Sequence, residues 1–285
     1  MTATALLREA AEALRLAGIT DPQWDAERLL RHVLAWDRAT LVTRAGEELA
    51  PAALARVRAL VATRAQRVPL QQIVGVQAFW RHDFLVTPDV LVPRPETELL
   101  VETAVERLRG SERPLVVDVG TGSGCIALSL ALERPDAQLH ATDLSEAALA
   151  VARENARRLG AGTRVAFHQG DLLEPVAALR GRLDLVVSNP PYVAEADRGS
   201  LAPELLDHEP ALALFGGRDG LDVFRRLAPA ASAALRRGGL LLLEVGLGQA
   251  DAVAALCRQA GLVPEGVTRD LQGIPRVVAA RADLA

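Results

Sequence analysis

From residue 115 onward, short apolar runs alternate strictly with amphipathic helical segments. The runs have the length of strands and are apolar at successive positions, as in strands that are buried on both faces. The expected strands are 115–119, 138–142, 164–168, 183–188, 239–245, 262–268 and 275–281, and the expected helices are 124–134, 145–159, 220–236 and 248–259. This alternation predicts an α/β protein with a mostly parallel sheet of seven strands and helices on both of its faces. The last two strands have no helix between them, so we expect an antiparallel pair at one edge.

Residues 1–76 differ from the rest of the chain because they contain helical patterns only. Apolar residues recur at helical spacing in the first helix, a second helix begins near Pro22, and a third begins at Pro51. The pattern predicts a small helical bundle as a separate N-terminal domain. Such a bundle can recognise a partner or can serve the fold alone, and both interpretations stay open.

A segment of different texture connects the bundle to the sheet. Residues 77–93 carry spaced apolar side chains around Thr87-Pro88-Asp89, which predicts a short hairpin or an extended linker. Residues 94–98 then begin a helix, with a proline early and acidic residues in the first turn. Residues 94–285 are the expected second domain, in which 193–219 form a long loop of the kind that is often functional.

The composition of the chain limits its class of function. The net charge of −4 gives no overall basic field, so we expect no direct contact with nucleic acid. Cys125 and Cys257 lie far apart in apolar helical patterns, which favours buried side chains over a disulfide or a metal site. No apolar run approaches the roughly 20 residues of a membrane span, and the N-terminus lacks the apolar core of a signal peptide. We therefore expect a cytoplasmic protein that holds no metal and contacts no membrane.

The strand at 183–188 ends in Asn189-Pro190-Pro191-Tyr192, which cannot continue it. Two consecutive prolines remove two backbone donors and fix φ at about −65°. An amide, a proline carbonyl and an aromatic ring thus meet at the carboxyl end of a strand, the edge at which open α/β sheets bind ligands. The amide oxygen and the Pro190 carbonyl are two acceptors suited to holding an –NH2 group. The alternative is an ordinary Pro-Pro turn with a solvent-facing asparagine.

The first strand of the sheet runs into a glycine-rich turn, Gly120-Thr121-Gly122-Ser123-Gly124. Such a turn at the start of a helix lets a ligand approach the backbone. The dinucleotide fingerprint requires glycine where Cys125 stands, and no phosphate-binding lysine follows as in a nucleotide triphosphate loop. Glycines at 120, 122 and 124, with acidic residues after the next two strands, resemble the S-adenosylmethionine site of seven-stranded methyltransferases.

Two aspartates complete this expected cofactor site. Asp143 ends the second strand, where it can accept hydrogen bonds from ribose hydroxyls. Asp171 follows the third strand, where its carboxylate can meet an adenine amino group and Leu172 can cover the ring face. The alternative is that both aspartates only cap the helices that follow them.

The glycine turn and the Asn-Pro-Pro-Tyr corner together resemble amino-directed methyltransferases. The chain closely resembles one branch of these, the peptide chain release factor glutamine methyltransferases of the PrmC/HemK family, and the resemblance covers nearly the full length. Besides the corner itself, it is carried by residues 75–80, 87–98, 208–214, 217–221 and 269–270. Two positions depart from the family: His208 stands where an aromatic residue is frequent, and Leu172 stands where some relatives carry tryptophan.

The resemblance implies a Rossmann-like class I methyltransferase sheet, S-adenosylmethionine as cofactor and class 1 release factors as partners. The substrate would be the glutamine of their Gly-Gly-Gln motif, methylated on the amide nitrogen. Asn189 and Pro190 would hold that nitrogen, Pro191 would complete the substrate corner, and Tyr192 would hold the planar amide against the donor. The helical domain, with the 193–219 loop, would dock the release factor. Two rival interpretations remain: a DNA or RNA amino methyltransferase that uses the same corner, and a binding module without activity.

Overall fold

The computed structural model of the protein describes residues 1–283. Its helices are α1 Ala3–Leu16, α2 Pro22–Leu34, α3 Arg38–Thr43, α4 Pro51–Ala65, α5 Leu70–Val74, α6 Glu98–Arg107, α7 Cys125–Glu133, α8 Glu146–Arg158, α9 Pro203–His208, α10 Ala211–Leu214, α11 Asp222–Ala234 and α12 Ala250–Gln259. Its strands are β1 Val76–Phe79, β2 His82–Leu85, β3 Leu115–Val119, β4 Gln138–Asp143, β5 Val165–Gln169, β6 Leu183–Ser188, β7 Leu235–Glu244, β8 Leu262–Arg269 and β9 Pro275–Ala282. Single 3₁₀ segments occur at Pro95–Thr97, Glu174–Leu179 and Glu195–Ser200.

Seven strands form one sheet, in the order β5-β4-β3-β6-β7-β9-β8. The first five pair in parallel, whereas β9 runs antiparallel to both β7 and β8. The predicted α/β class and the antiparallel edge are therefore confirmed. The largest boundary difference is in β7, which begins at Leu235 rather than 239, because Leu235 pairs with Leu183 ahead of a shift in register.

Helices cover both faces of this sheet, and alternate residues of each strand point to opposite cores. In β3, Val116 faces a core shared with α6 and α7, whereas Val117 and Val119 face a core shared with α11 and α12. Strands buried in this way read as continuous apolar runs, which explains why they were visible in the sequence. Cys125 and Cys257 are free thiols buried in these two cores, as predicted.

The hairpin lies earlier than the sequence predicted. Strands β1 and β2 form the two-stranded sheet, and the turn between them falls at Trp80, whose φ is 56°. Thr87-Pro88-Asp89 forms a separate turn beyond β2, in which Thr87 Oγ1 accepts the Asp89 N–H. Tertiary contacts fix the position of Trp80: its backbone N–H donates to Glu98 at 2.7 Å and its indole N–H donates to Glu133 at 2.8 Å. Such contacts between residues distant in sequence leave no periodic pattern, so the sequence alone could not predict this turn.

The segment 193–219 is not the plain loop expected from the sequence. It contains the 3₁₀ segment Glu195–Ser200 and the short helices α9 and α10. Helices of six and four residues are too short to show an apolar period. Packing against the rest of the chain must therefore define them.

The described chain divides into two compact units. One contains residues 1–76 together with 202–208, and the other contains the remainder. In the first unit, the predicted helices at the N-terminus, at Pro22 and at Pro51 are present as α1, α2 and α4, and their apolar faces form one core. The domain boundaries at 76 and 93 stay a prediction. No helix in residues 1–283 is both long and apolar enough to cross a membrane.

A buried ionic cluster holds α9 inside the first unit. Arg64, which is 7 % exposed, donates from Nε to Asp25 at 2.6 Å and from Nη2 to Glu204 at 2.9 Å. Arg67 binds the other oxygen of Glu204 at 2.6 Å. The last residue of α9, His208, directs its backbone carbonyl to Gln72 within the same unit.

Candidate active site

The turn between β3 and α7 is built from glycines because its backbone enters the left-handed region three times. Gly120, Gly122 and Gly124 have φ values of 71°, 54° and 82°, which residues with a Cβ rarely adopt. A Cβ on Gly120 or Gly122 would meet no protein atom within 4 Å, and both residues line a cavity. A Cβ on Gly124 would lie 3.0 Å from Leu128 Cδ1. The first two glycines thus leave space for a ligand at the backbone, whereas the third serves packing.

Asp118, a fully buried carboxyl in β3, supports this turn from below. Its Oδ2 accepts the Thr121 hydroxyl at 2.6 Å and the Ala127 N–H at 3.2 Å. Its Oδ1 has no partner in the described part of the chain. Burial raises the pKa of Asp118 to about 7, against the lowering effect of these two hydrogen bonds. Thr121 is therefore a buried support of the turn.

Asp143, at the end of β4, connects the glycine turn to the following loop. Its Oδ2 accepts the Gly122 N–H at 2.8 Å and its Oδ1 accepts the Ser145 N–H at 2.9 Å. Burial raises the pKa of this carboxyl, and the backbone hydrogen bonds oppose that effect. The next helix is capped by Ser145, whose Oγ accepts the Ala148 N–H. Asp143 is thus not the cap of α8, and it lies on the cavity wall.

The loop after β5 brings Asp171 and Leu172 to the same cavity. Asp171 Oδ2 forms an ion pair with Arg226, whereas Oδ1 is buried without a partner among residues 1–283. Leu172 has a left-handed φ of 47°, and its carbonyl accepts the Thr142 hydroxyl at 2.7 Å. The 3₁₀ segment that follows has no side-chain cap. The capping alternative is therefore not observed for Asp171 either.

The fourth contributor is the end of β6. The Ser188 hydroxyl donates to the Val119 carbonyl at 2.7 Å, which places the end of β6 beside the glycine turn. Asn189 comes next, and its Nδ2 donates to Thr97 Oγ1 at 3.1 Å. Because the amide nitrogen is engaged inside the protein, Oδ1 is the acceptor that this side chain can offer to a ligand. Asn189 is half-buried and lines the cavity with Pro190, so it is not a solvent-facing turn residue.

Tyr192 lies outside the cavity wall. Its ring packs on the core shared with α11 and α12, and a Cβ on Gly246 would lie 3.0 Å from Tyr192 Cδ2. Its carbonyl accepts Gln249 Nε2 at 2.9 Å. Burial raises the pKa of the Tyr192 phenol to about 12, so the phenol stays neutral at physiological pH. An aromatic ring that does line the cavity is that of Phe215.

These segments enclose a cavity of about 430 Å³ at the carboxyl edge of the sheet, within the size range of small-molecule sites. The predicted residues that line it are Gly120, Gly122, Asp143, Asp171, Leu172, Asn189, Pro190 and Pro191, whereas Thr121, Ser123, Gly124 and Tyr192 do not. The prediction from strand ends missed the lining residues Val90, Leu91, Phe215 and Arg226. In the sequence, segment 87–98 is marked as functional by the family resemblance, Phe215 lies in the 193–219 loop expected to be functional, and Arg226 has no signal of its own.

A buried ion pair holds together two loops of the cavity wall. Arg94 Nη2 donates to both carboxylate oxygens of Glu209 at 2.7 Å, and the Glu209 side chain is 1 % exposed. Burial raises the pKa of Glu209, while Arg94 acts in the opposite direction. Arg94 follows the segment that contains Val90, and Glu209 directly precedes Pro210. The ion pair therefore connects two segments that line the cavity.

The fold matches that of known methyltransferases. The crystal structure of a methyltransferase from Pyrococcus furiosus superposes with a TM-score of 0.52, covers 78 % of this chain and 99 % of that one, and is 17 % identical. The family model for the methyltransferase small domain matches residues 95–218. The sheet therefore has the fold of a methyltransferase.

Sequence relatives define the family within this class. The family model for the PrmC N-terminal domain matches residues 5–75. The chain is 48 % identical to the release factor glutamine methyltransferase of Cereibacter sphaeroides over 100 % of both chains, and 47 % identical to that of Deinococcus radiodurans over 97 % of both. The chain belongs to the release factor glutamine methyltransferase family. This family and its fold imply the use of S-adenosylmethionine.

Proposed function

We propose that this protein transfers a methyl group from S-adenosylmethionine to the side-chain amide nitrogen of glutamine in the Gly-Gly-Gln motif of class 1 release factors. The observation that carries the proposal is the orientation of Asn189 on the cavity wall. Its Nδ2 is bound to Thr97, which leaves Oδ1 as the acceptor that this side chain can offer, and the carbonyl of Pro190, which also lines the cavity, accepts no hydrogen bond from the described chain. Two acceptors next to a cofactor-sized cavity fit an –NH2 substrate with two hydrogens to donate.

The cofactor residues of this proposal are those that line the cavity. Gly120 and Gly122 leave the backbone accessible, since a side chain at either position would take up ligand space. Asp143 would accept hydrogen bonds from the ribose, and the Asp171 carboxylate would accept one from the adenine amino group. Leu172 would cover the ring face. When bound, S-adenosylmethionine supplies an electrophilic methyl carbon.

The protein's part in the reaction is to make an amide nitrogen reactive. This nitrogen is a weak nucleophile because its lone pair is delocalised into the carbonyl group. Asn189 Oδ1 and the Pro190 carbonyl would each accept one of its hydrogens, which orients the lone pair and stabilises the positive charge that develops on nitrogen. Holding the nitrogen at about 3–3.5 Å from the methyl carbon supplies a further part of the acceleration.

The position of Tyr192 changes the expected role of the aromatic residue. A ring packed against Gly246 and outside the cavity wall supports the Asn189 corner from behind. Phe215 is better placed to contact a planar substrate group. We propose residues 1–76 as the region that recognises the release factor, and we expect the protein in the cytoplasm, where translation terminates.

The proposal is tested by incubating the protein with labelled S-adenosylmethionine and either a class 1 release factor or DNA and RNA. Mass spectrometry is expected to find one methyl group on the motif glutamine of the release factor. Label in nucleic acid instead would favour the rival amino methyltransferase, and no label in any substrate would favour a binding module.

The Asn189→Ala variant tests the clamp itself. It removes one preorganised polar contact, so kcat is expected to fall roughly 10²–10³-fold. The dissociation constant of S-adenosylmethionine in calorimetry and the unfolding midpoint are expected to stay close to those of the parent protein. Near-normal turnover would exclude Asn189 from the mechanism.

A further inference from the structure

A buried carboxyl lies directly behind the Asn189 clamp. Strands β6 and β7 run in parallel with Ser188 opposite Leu243, so the next residues, Asn189 and Glu244, come side by side at the edge of the sheet. Glu244 is 2 % exposed and does not line the cavity, so it cannot touch a ligand there. Burying a carboxyl costs free energy unless hydrogen bonds or charges compensate. A position that is used for neither the core nor the ligand therefore requires another explanation.

Thr97 connects this carboxyl to the clamp. It is 2 % exposed, and its Oγ1 accepts one hydrogen of Asn189 Nδ2 at 3.1 Å. The side chains of Thr97 and Asn189 both lie near Glu244 as donors and favour its ionised form, Thr97 more strongly than Asn189. Thr97 and Glu244 can thus take both hydrogens of the Asn189 amide nitrogen, and Glu244 can also take the hydroxyl hydrogen of Thr97. Only Oδ1 of Asn189 is then left to face the cavity.

The ionised carboxyl also disfavours the reverse orientation of the Asn189 amide. If the amide were rotated by half a turn, Oδ1 would face the Glu244 carboxylate, and two acceptors would meet without a hydrogen between them. Nδ2 would then point into the cavity, where it could not accept a hydrogen from a substrate –NH2 group. A neutral carboxyl group could donate to Oδ1 and would remove this preference.

We infer that Glu244, acting through Thr97, is a positioning residue that fixes which end of the Asn189 amide faces the substrate. This inference rests on the proposed function, because it concerns the same clamp. It adds a second effect of Glu244: a negative charge one side chain away from the nitrogen on which positive charge develops. Charge held in place before the reaction stabilises such a transition state without reorganisation.

The surroundings of Glu244 bring its ionisation close to neutral pH. Burial raises its pKa to about 7, and its Oε2 has no hydrogen-bond partner within residues 1–283. The charged and titratable groups that face Glu244 or its neighbour Tyr192 are Arg276 from β9, with its own partner Asp270, Glu96 from the 3₁₀ segment before α6, the buried thiol of Cys125 at the start of α7, Arg94 and Tyr192 itself. The carboxylate predominates above pH 7, so activity is expected to rise with pH through that value.

The first test is a pair of substitutions at Thr97. Thr97→Val keeps the shape but removes the acceptor for Asn189, and kcat for methylation of the release factor is expected to fall about 10-fold. Thr97→Ser restores the hydroxyl and is expected to restore most of kcat. In both variants, the dissociation constant of S-adenosylmethionine in calorimetry and the KM for the release factor are expected to remain within about 2-fold. Equal kcat values for Thr97→Val and the parent protein would overturn the inference.

The second test uses Glu244→Gln, which keeps the size but cannot ionise. The parent kcat is expected to rise about 10-fold between pH 6 and pH 8, as for a single group that titrates near pH 7. Glu244→Gln is expected to lack this step. An unchanged pH profile in the variant would overturn the inference.

The third readout does not depend on turnover. In ¹⁵N NMR spectra of the full chain, the side-chain –NH2 signals of Asn189 are identified by their loss in Asn189→Ala. They are expected to shift with pH with a midpoint near 7, and to stay fixed in Glu244→Gln. Signals that ignore pH in the parent protein would overturn the positioning role even if the methylation assay succeeds. A normal titration in a protein that fails to methylate a release factor would contradict the proposed function alone.

Discussion

Two buried carboxyl groups in this protein have different structural roles. Asp118 supports the glycine turn and Glu244 lies behind Asn189, and burial raises the pKa of both to about 7. Neither contacts the cavity. The sequence predicted neither role, although a carboxylate in or directly after an apolar run is a visible signal. The position of a carboxylate at a strand end does not distinguish a group that reaches a ligand from a buried group that orients another side chain.

Asp118 is expected to make folding stability depend on pH. Its ordinary pKa of 3.8 rises to about 7 in the folded protein. Between these two pH values, the folded state holds a proton that the unfolded state releases. The contribution of Asp118 to the free energy of unfolding is therefore most favourable below pH 4, and it is lost as pH rises to 7. The loss is on the order of 4 kcal/mol for the full shift. Urea unfolding of Asp118→Asn at pH 4.5 and at pH 7.5 is expected to show a smaller fall than the parent protein.

Asp136→Asn is the matched control for this experiment. Hydrogen bonds from Arg134 lower the pKa of Asp136 to about 2, so this surface carboxyl is ionised in both states throughout the range tested. Its removal is expected to leave the pH dependence above pH 4.5 unchanged. If Asp118→Asn retained the parent slope, Asp118 would be ionised in the folded protein.

At the scale of elements, the sheet could be predicted because buried strands are apolar at every position. The turn at Trp80 and the short helices α9 and α10 could not, because contacts distant in sequence define them. The glycine turn was predicted, yet only part of it faces the cavity. Thr121 donates to Asp118 within the turn, and Gly124 packs closely against the helix that follows. The spacing of the residues does not reveal that their roles differ from those of Gly120 and Gly122.

Asp143 connects the glycine turn to the loop after β4. Two replacements of Asp143 can distinguish its contact with the cofactor from its support of the turn. Asp143→Ala removes a carboxylate on the cavity wall that also accepts the Gly122 N–H. The dissociation constant of S-adenosylmethionine in calorimetry is expected to rise roughly 10–100-fold, as for the loss of hydrogen bonds to a charged group. Asp143→Asn keeps an acceptor for Gly122 and is expected to bind more tightly than Asp143→Ala. An unchanged dissociation constant in Asp143→Ala would refute the ribose assignment.

At the scale of the whole molecule, the sequence suggested a chain of two consecutive domains. The helical unit also contains residues 202–208, which lie far along the chain. The ionic cluster around Arg64 explains their place, since Glu204 shares Arg64 with the buried Asp25 of that unit and also pairs with Arg67. Pairing over a separation of 140 residues leaves no local signal in a sequence.

Arg64→Ala is expected to destabilise the helical unit. It leaves Asp25 without its buried partner and Glu204 with one arginine, at a cost of about 3–5 kcal/mol. Arg58→Ala is the control, because Arg58 pairs with Glu9 at the surface, where solvent screens the pair and its loss is expected to change the unfolding midpoint little. In urea unfolding, tryptophan fluorescence reports on this unit through Trp24 and Trp36 and on the other unit through Trp80, so the change is expected in the first of these transitions. Equal midpoints for the two variants would contradict a structural role of the cluster.

The position of α9 in the first unit has a consequence for recombination between members of the family. The polypeptide crosses between its two compact units near residues 76, 201 and 208, so the helical part is encoded in two separate stretches of the gene. A chimera joined once, at residue 76, would take Arg64 and Arg67 from one parent and α9, with Glu204, from the other. Recombination within the family is therefore expected to succeed when both stretches travel together, or when the parents carry matching charges at these positions.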